Sequence, residues 1–165
     1  MANFRSIIVG VATVALLPVF SSCGRDNSDG MESWDQANQE YHKTITSFPF
    51  SLPSGVSFPT DLSTSNDAAA GRYQTGYGDI QAYFFAECAH LTVAMNTKDK
   101  NSSQAHAALG EVKKIVASDV YQQHVSDADG GYQAAINKAL LGDYSVLSQF
   151  YSSDCDSDWF KGKET

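Results

Sequence analysis

The chain has 165 residues, with 11 Lys and Arg against 19 Asp and Glu and a formal net charge of −8. Apolar residues make up 42% and charged residues 18%, which excludes a disordered or fibrous chain and fits one compact domain. An acidic chain without a Lys/Arg cluster is poorly suited to a nucleic-acid backbone or a bare anionic membrane surface, so no nucleic-acid partner is expected.

Residues 1–22 read as an export signal. Arg5 is followed by the uncharged run Ile7–Phe20. That run falls short of the roughly 18 apolar residues a transmembrane helix needs, carries Pro18, and ends in small polar residues. Phe20-Ser21-Ser22-Cys23 resembles the lipobox of bacterial lipoprotein signal peptides, in which small residues precede a Cys that becomes the lipid-modified N-terminus. Ser21, Ser22 and Cys23 match the pattern, while Phe20 stands where the family usually has Leu or another aliphatic residue. The resemblance covers the signal region alone. It implies lipid attachment (palmitate-type acyl chains) at Cys23 and a domain anchored on the extracytoplasmic face of the cell membrane. The alternative is a cut near Ser21–Ser22 and a freely secreted protein.

Three cysteines leave one over in an exported chain. Lipidation of Cys23 would resolve the parity and leave Cys88 and Cys155 to pair in an oxidising compartment, worth roughly 4 kcal/mol in the chain-entropy model. Two free buried cysteines are the alternative. Residues 23–33 have little apolar content and read as a flexible tether holding the domain 34–160 off the bilayer, with a polar tail at 161–165.

Met31, Trp34, Tyr41 and Ile45 have helical spacing and predict a first helix. Pro49, Pro53 and Pro59 then exclude a helix interior, and the apolar residues between them predict an extended strap laid over a helical core. Residues 60–76 are small and polar, a loop. Tyr77, Ile80, Phe84, Cys88, Leu91 and Met95 draw one apolar stripe. Tyr83, Phe84 and Phe85 widen it to an arc of about 200°, which predicts a central helix buried on most sides. Asn101-Ser102-Ser103 can cap a third helix with Ala105, Ala108, Leu109, Val112, Ile115 and Val116 on its buried face, which continues or restarts at Asp119. After Gly130-Gly131, a helix with Tyr132, Ile136, Leu140 and Leu141 is expected to stop at Gly142. Asp143 can cap a last helix carrying Val146, Leu147, Phe150 and Tyr151 and ending near Cys155. No sustained alternation of period two occurs. The expected class is mostly α: a small bundle of about four to five helices with a Pro-rich strap and one disulfide.

The strap followed by Tyr-Gly-x-x-Gln-Ala-Tyr-Phe-Phe-x-x-Cys is similar to segments of uncharacterised exported bacterial proteins, a resemblance that carries no activity with it. Catalytic motifs are missing: there is no Gly-x-Ser-x-Gly elbow, His-Glu-x-x-His or Walker loop. Gly76-Tyr77-Gly78-Asp79 lacks the third glycine of a phosphate cradle, and Asp79 would repel a phosphate; flexibility at a helix start explains the glycines better. Glu87 and His90, three apart, share a helix face. A buried Glu–His hydrogen bond explains the pair better than a metal site, since di-iron bundles repeat this spacing and add further glutamates. If the pair borders a cleft, it is the one suited to acid–base work. His42, His106 and His124 have no ligand spacing. Asp154, Asp156 and Asp158 begin like a calcium loop, but Trp159 and Thr165 occupy the positions where such a loop needs Gly and Glu. No metal or cofactor is expected.

Most aromatics serve the core, with Tyr73 and Tyr77 beside glycines the candidates for ligand contact. Tyr73, Tyr77, Glu87 and His90 are thus the candidate binding residues, and none is assigned as catalytic. The expected function is a lipid-anchored, non-catalytic binding or interaction domain, its partner an envelope protein or a small ligand. The alternatives are a cell-envelope enzyme using Glu87 and His90, or a structural spacer.

Overall fold

The structure, a computed structural model, describes residues 30–62, 71–156 and 159–160. The export signal, Cys23 with its lipobox, and the tail 161–165 lie outside the described residues. In chain order the elements are β1 (Met31–Ser33), α1 (Trp34–Thr46), β2 (Arg72–Gln74), α2 (Tyr77–Thr97), α3 (Ser102–Val116), α4 (Asp119–His124), α5 (Gly131–Leu140) and α6 (Ser145–Asp154). The class is mostly α, as expected. A sixth helix appears because the chain does restart at Asp119, where Ser118 accepts from the Tyr121 N–H as a new N-cap.

Met31–Ser33, read from sequence as the end of the tether, form β1 and pair antiparallel with β2, with Glu32 opposite Tyr73. Three-residue strands are too short to leave an alternating signature. Ser33 then closes a capping box with Gln36, starting α1.

Helix α2, 21 residues and about 31 Å long, is the axis of the domain. Tyr83, Phe85, Ala86, Cys88 and Leu91 are all buried, so the helix is wrapped on most sides as its wide apolar arc predicts. Helix α3 packs along it with Ala105, Ala108, Leu109, Val112, Ile115 and Val116 inward, and Asn101 caps the Gln104 N–H at 3.2 Å. Helix α1 crosses it where Gly78 sits. A Cβ at 78 would stand 2.6 Å from the Tyr41 nitrogen and closer still to the Ala37 carbonyl oxygen. That glycine is therefore a backbone-approach residue, which is a more specific reason than helix-start flexibility.

The Pro-rich strap lies across the core. Phe48 meets both Phe58 and Tyr83 edge-on at 5.0 Å between ring centroids. Helix α5 ends in a Schellman arrangement, with Gly142 at φ +97° and the Asp143 N–H donated to the Lys138 carbonyl. Asp143 then accepts from the Ser145 N–H ahead of α6. The Cys88–Cys155 disulfide ties the middle of α2 to the end of α6. No helix among the described residues is long and apolar enough to cross a membrane.

Candidate functional site

Between α2, α4, α5 and α6 lies a cavity of about 870 Å³. Its floor is contributed by buried residues of α2 and α4, among them Glu87, Leu91 and Tyr121, together with the disulfide. Its rim is the exposed loop that joins α4 to α5, with Ser126, Ala128 and Asp129, and the end of α6 at Asp154. Asp127 shapes that loop. Its two carboxylate oxygens accept the N–H groups of Tyr132 and Gln133, each at 3.1 Å, and so satisfy the first turn of α5. The same bonds set the start of α5 so that the Tyr132 ring enters the cavity wall, edge-on to Phe150 at 4.9 Å.

Glu87 is the chemical centre of this cavity. It is 5% exposed, and the Tyr132 hydroxyl donates to its Oε1. Tyr121 approaches the same carboxyl from α4, yet leaves Oε2 without a hydrogen bond of adequate geometry. Burial pushes the Glu87 carboxyl from its ordinary 4.5 up to about 7, against the opposing pull of the tyrosine hydroxyls, with the Asp154 charge adding to the rise. Burial and the Glu87 charge push both tyrosines upward, so they stay protonated donors.

Of the residues singled out from sequence, Tyr77 and Glu87 line the cavity, whereas Tyr73 and His90 do not. Tyr73 stacks between Trp34 and Tyr77, at 5.4 and 4.8 Å, over the β1–β2 ribbon. His90 turns to the strap, where its Nε2 lies 2.8 Å from the Ser51 carbonyl oxygen. The Glu–His hydrogen bond read from their spacing is therefore replaced by two separate partnerships. A three-residue step rotates about 60° from a full turn. On a helix covered on both flanks, that rotation is enough to give the two side chains different neighbours.

Tyr121, Tyr132, Asp127 and the rim position of Asp154 were missed as site residues. The two tyrosines sit at core spacing, and only the polar tip of each ring distinguishes them from phenylalanines. Asp154 belongs to the acidic run that begins like a calcium loop. Among the described residues, no group of three or more His, Cys, Asp or Glu side chains is arranged to hold a metal ion.

A second carboxyl is buried elsewhere. Glu32 on β1 is 3% exposed with Oε1 unpartnered, and burial followed by the neighbouring Glu40 pushes it up to about 7. Glu40 itself accepts the Gly76 N–H at 3.0 Å, and Thr44 donates to Asp79. These contacts fasten α1 and β1 to the start of α2, and none of Glu32, Glu40, Thr44, Gly76 and Asp79 lines the cavity.

No family model matches the chain, and neither a curated protein nor a solved structure is found to be similar to it.

Proposed function

We propose that the protein is a lipid-anchored extracytoplasmic binding domain whose ligand is a small molecule held in the cavity above Glu87. One observation carries the reading: a cavity of about 870 Å³ ends on a buried carboxyl with one oxygen unsatisfied. Ligand sites are concave, largely apolar, and carry a few convergent polar groups, and this volume lies within their usual range. A purely structural helical domain would gain by closing such a space with side chains, since each unfilled volume forfeits packing energy. The Cys23 anchor would hold the site outside the cytoplasmic membrane.

The test is saturation transfer from the protein to indole, a neutral aromatic probe. Gly131 lines the cavity, its φ is unstrained for a side chain, and a Cβ there meets nothing within 4 Å. Gly131→Trp therefore places a bulky side chain at a position lining the cavity, at little cost to the fold. Transfer to indole is expected in the wild type and should be lost in Gly131→Trp. Equal transfer in both, or none in either, would remove the cavity as the site.

A further inference from the structure

We infer that the cavity selects an organic cation, an amine or quaternary ammonium carried on an apolar body; this rests on the cavity being the ligand site. Four carboxyl side chains line it, Glu87 at the floor and Asp127, Asp129 and Asp154 towards the rim. None of the described lining residues is Lys, Arg or His. Helices α4 and α5 could have brought a counter-charge to Glu87, since His124 and Lys138 lie on them, but both of those side chains are exposed and outside the cavity. Among the described residues, the negative charge is left unbalanced within the site.

The walls agree with the charge. Tyr77, Phe84, Tyr121, Tyr132, Phe150 and Phe160 all contribute to the lining. Aromatic faces attract a cation through their quadrupole, and more strongly where water is excluded. Outside, the rim aspartates raise the local concentration of a cation and lower that of an anion. Inside, a buried carboxylate without a full set of partners is costly, and an incoming cation offsets that cost where a neutral ligand cannot. The Tyr132 hydroxyl holds Oε1, so the unsatisfied Oε2 edge of the carboxyl is the negative pole beneath the ligand. An anionic ligand would meet the same field with the opposite sign.

The experiment compares three probes that share a phenyl ring: benzyltrimethylammonium, benzyl alcohol and phenylacetate. Each is titrated calorimetrically at pH 8 against the protein as its host exports and processes it. Benzyltrimethylammonium is expected to bind at least about tenfold more tightly than benzyl alcohol, with phenylacetate weakest. Glu87→Gln should weaken the cation by about tenfold or more and benzyl alcohol by much less. Asp154→Asn, at an exposed rim position that leaves the core untouched, should weaken the cation by about twofold and more so at low salt. Benzyl alcohol or phenylacetate binding as tightly as the cation, with loss in Gly131→Trp, would overturn the cation inference and leave the cavity standing as the site. Cation binding that is indifferent to Glu87→Gln and Gly131→Trp would be surface attraction and would also overturn it. Silence from all three probes together with indole would overturn both readings.

Discussion

Tyr132 reaches Glu87 across 45 positions of sequence and donates its hydroxyl hydrogen to Oε1. The bond joins the start of α5 to the middle of α2 at the floor of a cavity. Asp127 makes it possible, because its carboxylate holds the Tyr132 and Gln133 N–H groups in the first turn of α5 and so aims the tyrosine inward. A carboxyl placed there has two states of quite different cost, and that difference can be measured.

Stability should fall as pH rises through the neutral range. The folded chain holds the Glu87 proton up to about pH 7, whereas the unfolded chain releases it near 4.5. Folding therefore takes up a proton between those values. The contribution is fully present below about pH 4.5 and is lost as pH passes 7. A shift of this size corresponds to roughly 3 kcal/mol. Glu32, raised to about 7 by burial and by Glu40, acts in the same direction over the same window. Urea unfolding at pH 5 and pH 8 is the measurement. Glu87→Gln and Glu32→Gln should each reduce the drop between the two pH values, and a wild-type protein equally stable at both would contradict the burial of the two charges.

Cation affinity should run the other way. The groups facing Glu87 are Tyr121 on α4, Tyr132 at the start of α5 and Asp154 on α6, with Asp127 in the loop before α5 acting on Tyr121. None of these is cationic, so among the described residues only loss of the Glu87 proton creates the full negative pole. Binding of benzyltrimethylammonium should strengthen as pH rises towards about 7, by in all about the factor lost in Glu87→Gln, and level off above it. Glu87→Gln should flatten that profile. A profile that is flat in the wild type as well would detach the cation from Glu87.

Much of this fold is legible in the sequence because helices announce themselves over several turns. The buried face of α3 was readable residue by residue, as were the Gly142 stop and the pairing of Cys88 with Cys155. The β1–β2 ribbon was not, since three residues cannot show a period. The site was half legible. Glu87 stands out as a carboxylate inside an apolar stripe, a conflict that local pattern exposes at once. Its true partners do not, because Tyr121 and Tyr132 meet it only through the packing of α4 and α5, and helical spacing pointed to His90 instead.

The disulfide should stabilise the cavity wall as well as the fold. It closes a loop of 67 residues, for which the chain-entropy model gives about 4 kcal/mol. Helix α6 contributes Phe150 and Asp154 to the site and is fastened at its end by Cys155. The Cys88→Ala, Cys155→Ala double variant should unfold at markedly lower urea concentration and lose part of its transfer to indole. Identical unfolding curves with and without a reductant that is shown to break the bond would argue against this role.

Two glycines should answer oppositely to the same change. At Gly78 a methyl group would press into the backbone of α1 at Ala37 and Tyr41. Gly78→Ala is expected to cost about 3 kcal/mol by forcing α1 away from α2. At Gly131, the first residue of α5, a methyl group meets open space, and Gly131→Ala should be neutral or stabilise by about 0.5 kcal/mol. Thermal melting of both variants distinguishes a helix crossing that depends on backbone contact from one that can slide.

A lipid anchor at Cys23 would carry the cavity to the extracytoplasmic face of the membrane. Cys23 follows two serines at the end of an uncharged run, and the parity of the cysteines leaves it without a partner once Cys88 and Cys155 are joined. The proposed acylation would account for a thiol in that place, and two or more acyl chains hold a protein on a bilayer where one binds only reversibly. Cys23→Ser should therefore move the protein from the membrane fraction to the medium and abolish metabolic labelling with palmitate. Its unfolding midpoint should be unchanged, because Cys23 takes no part in the disulfide. Membrane association that survives the substitution would rule out the lipid anchor, and labelling that survives would place the acyl chain elsewhere.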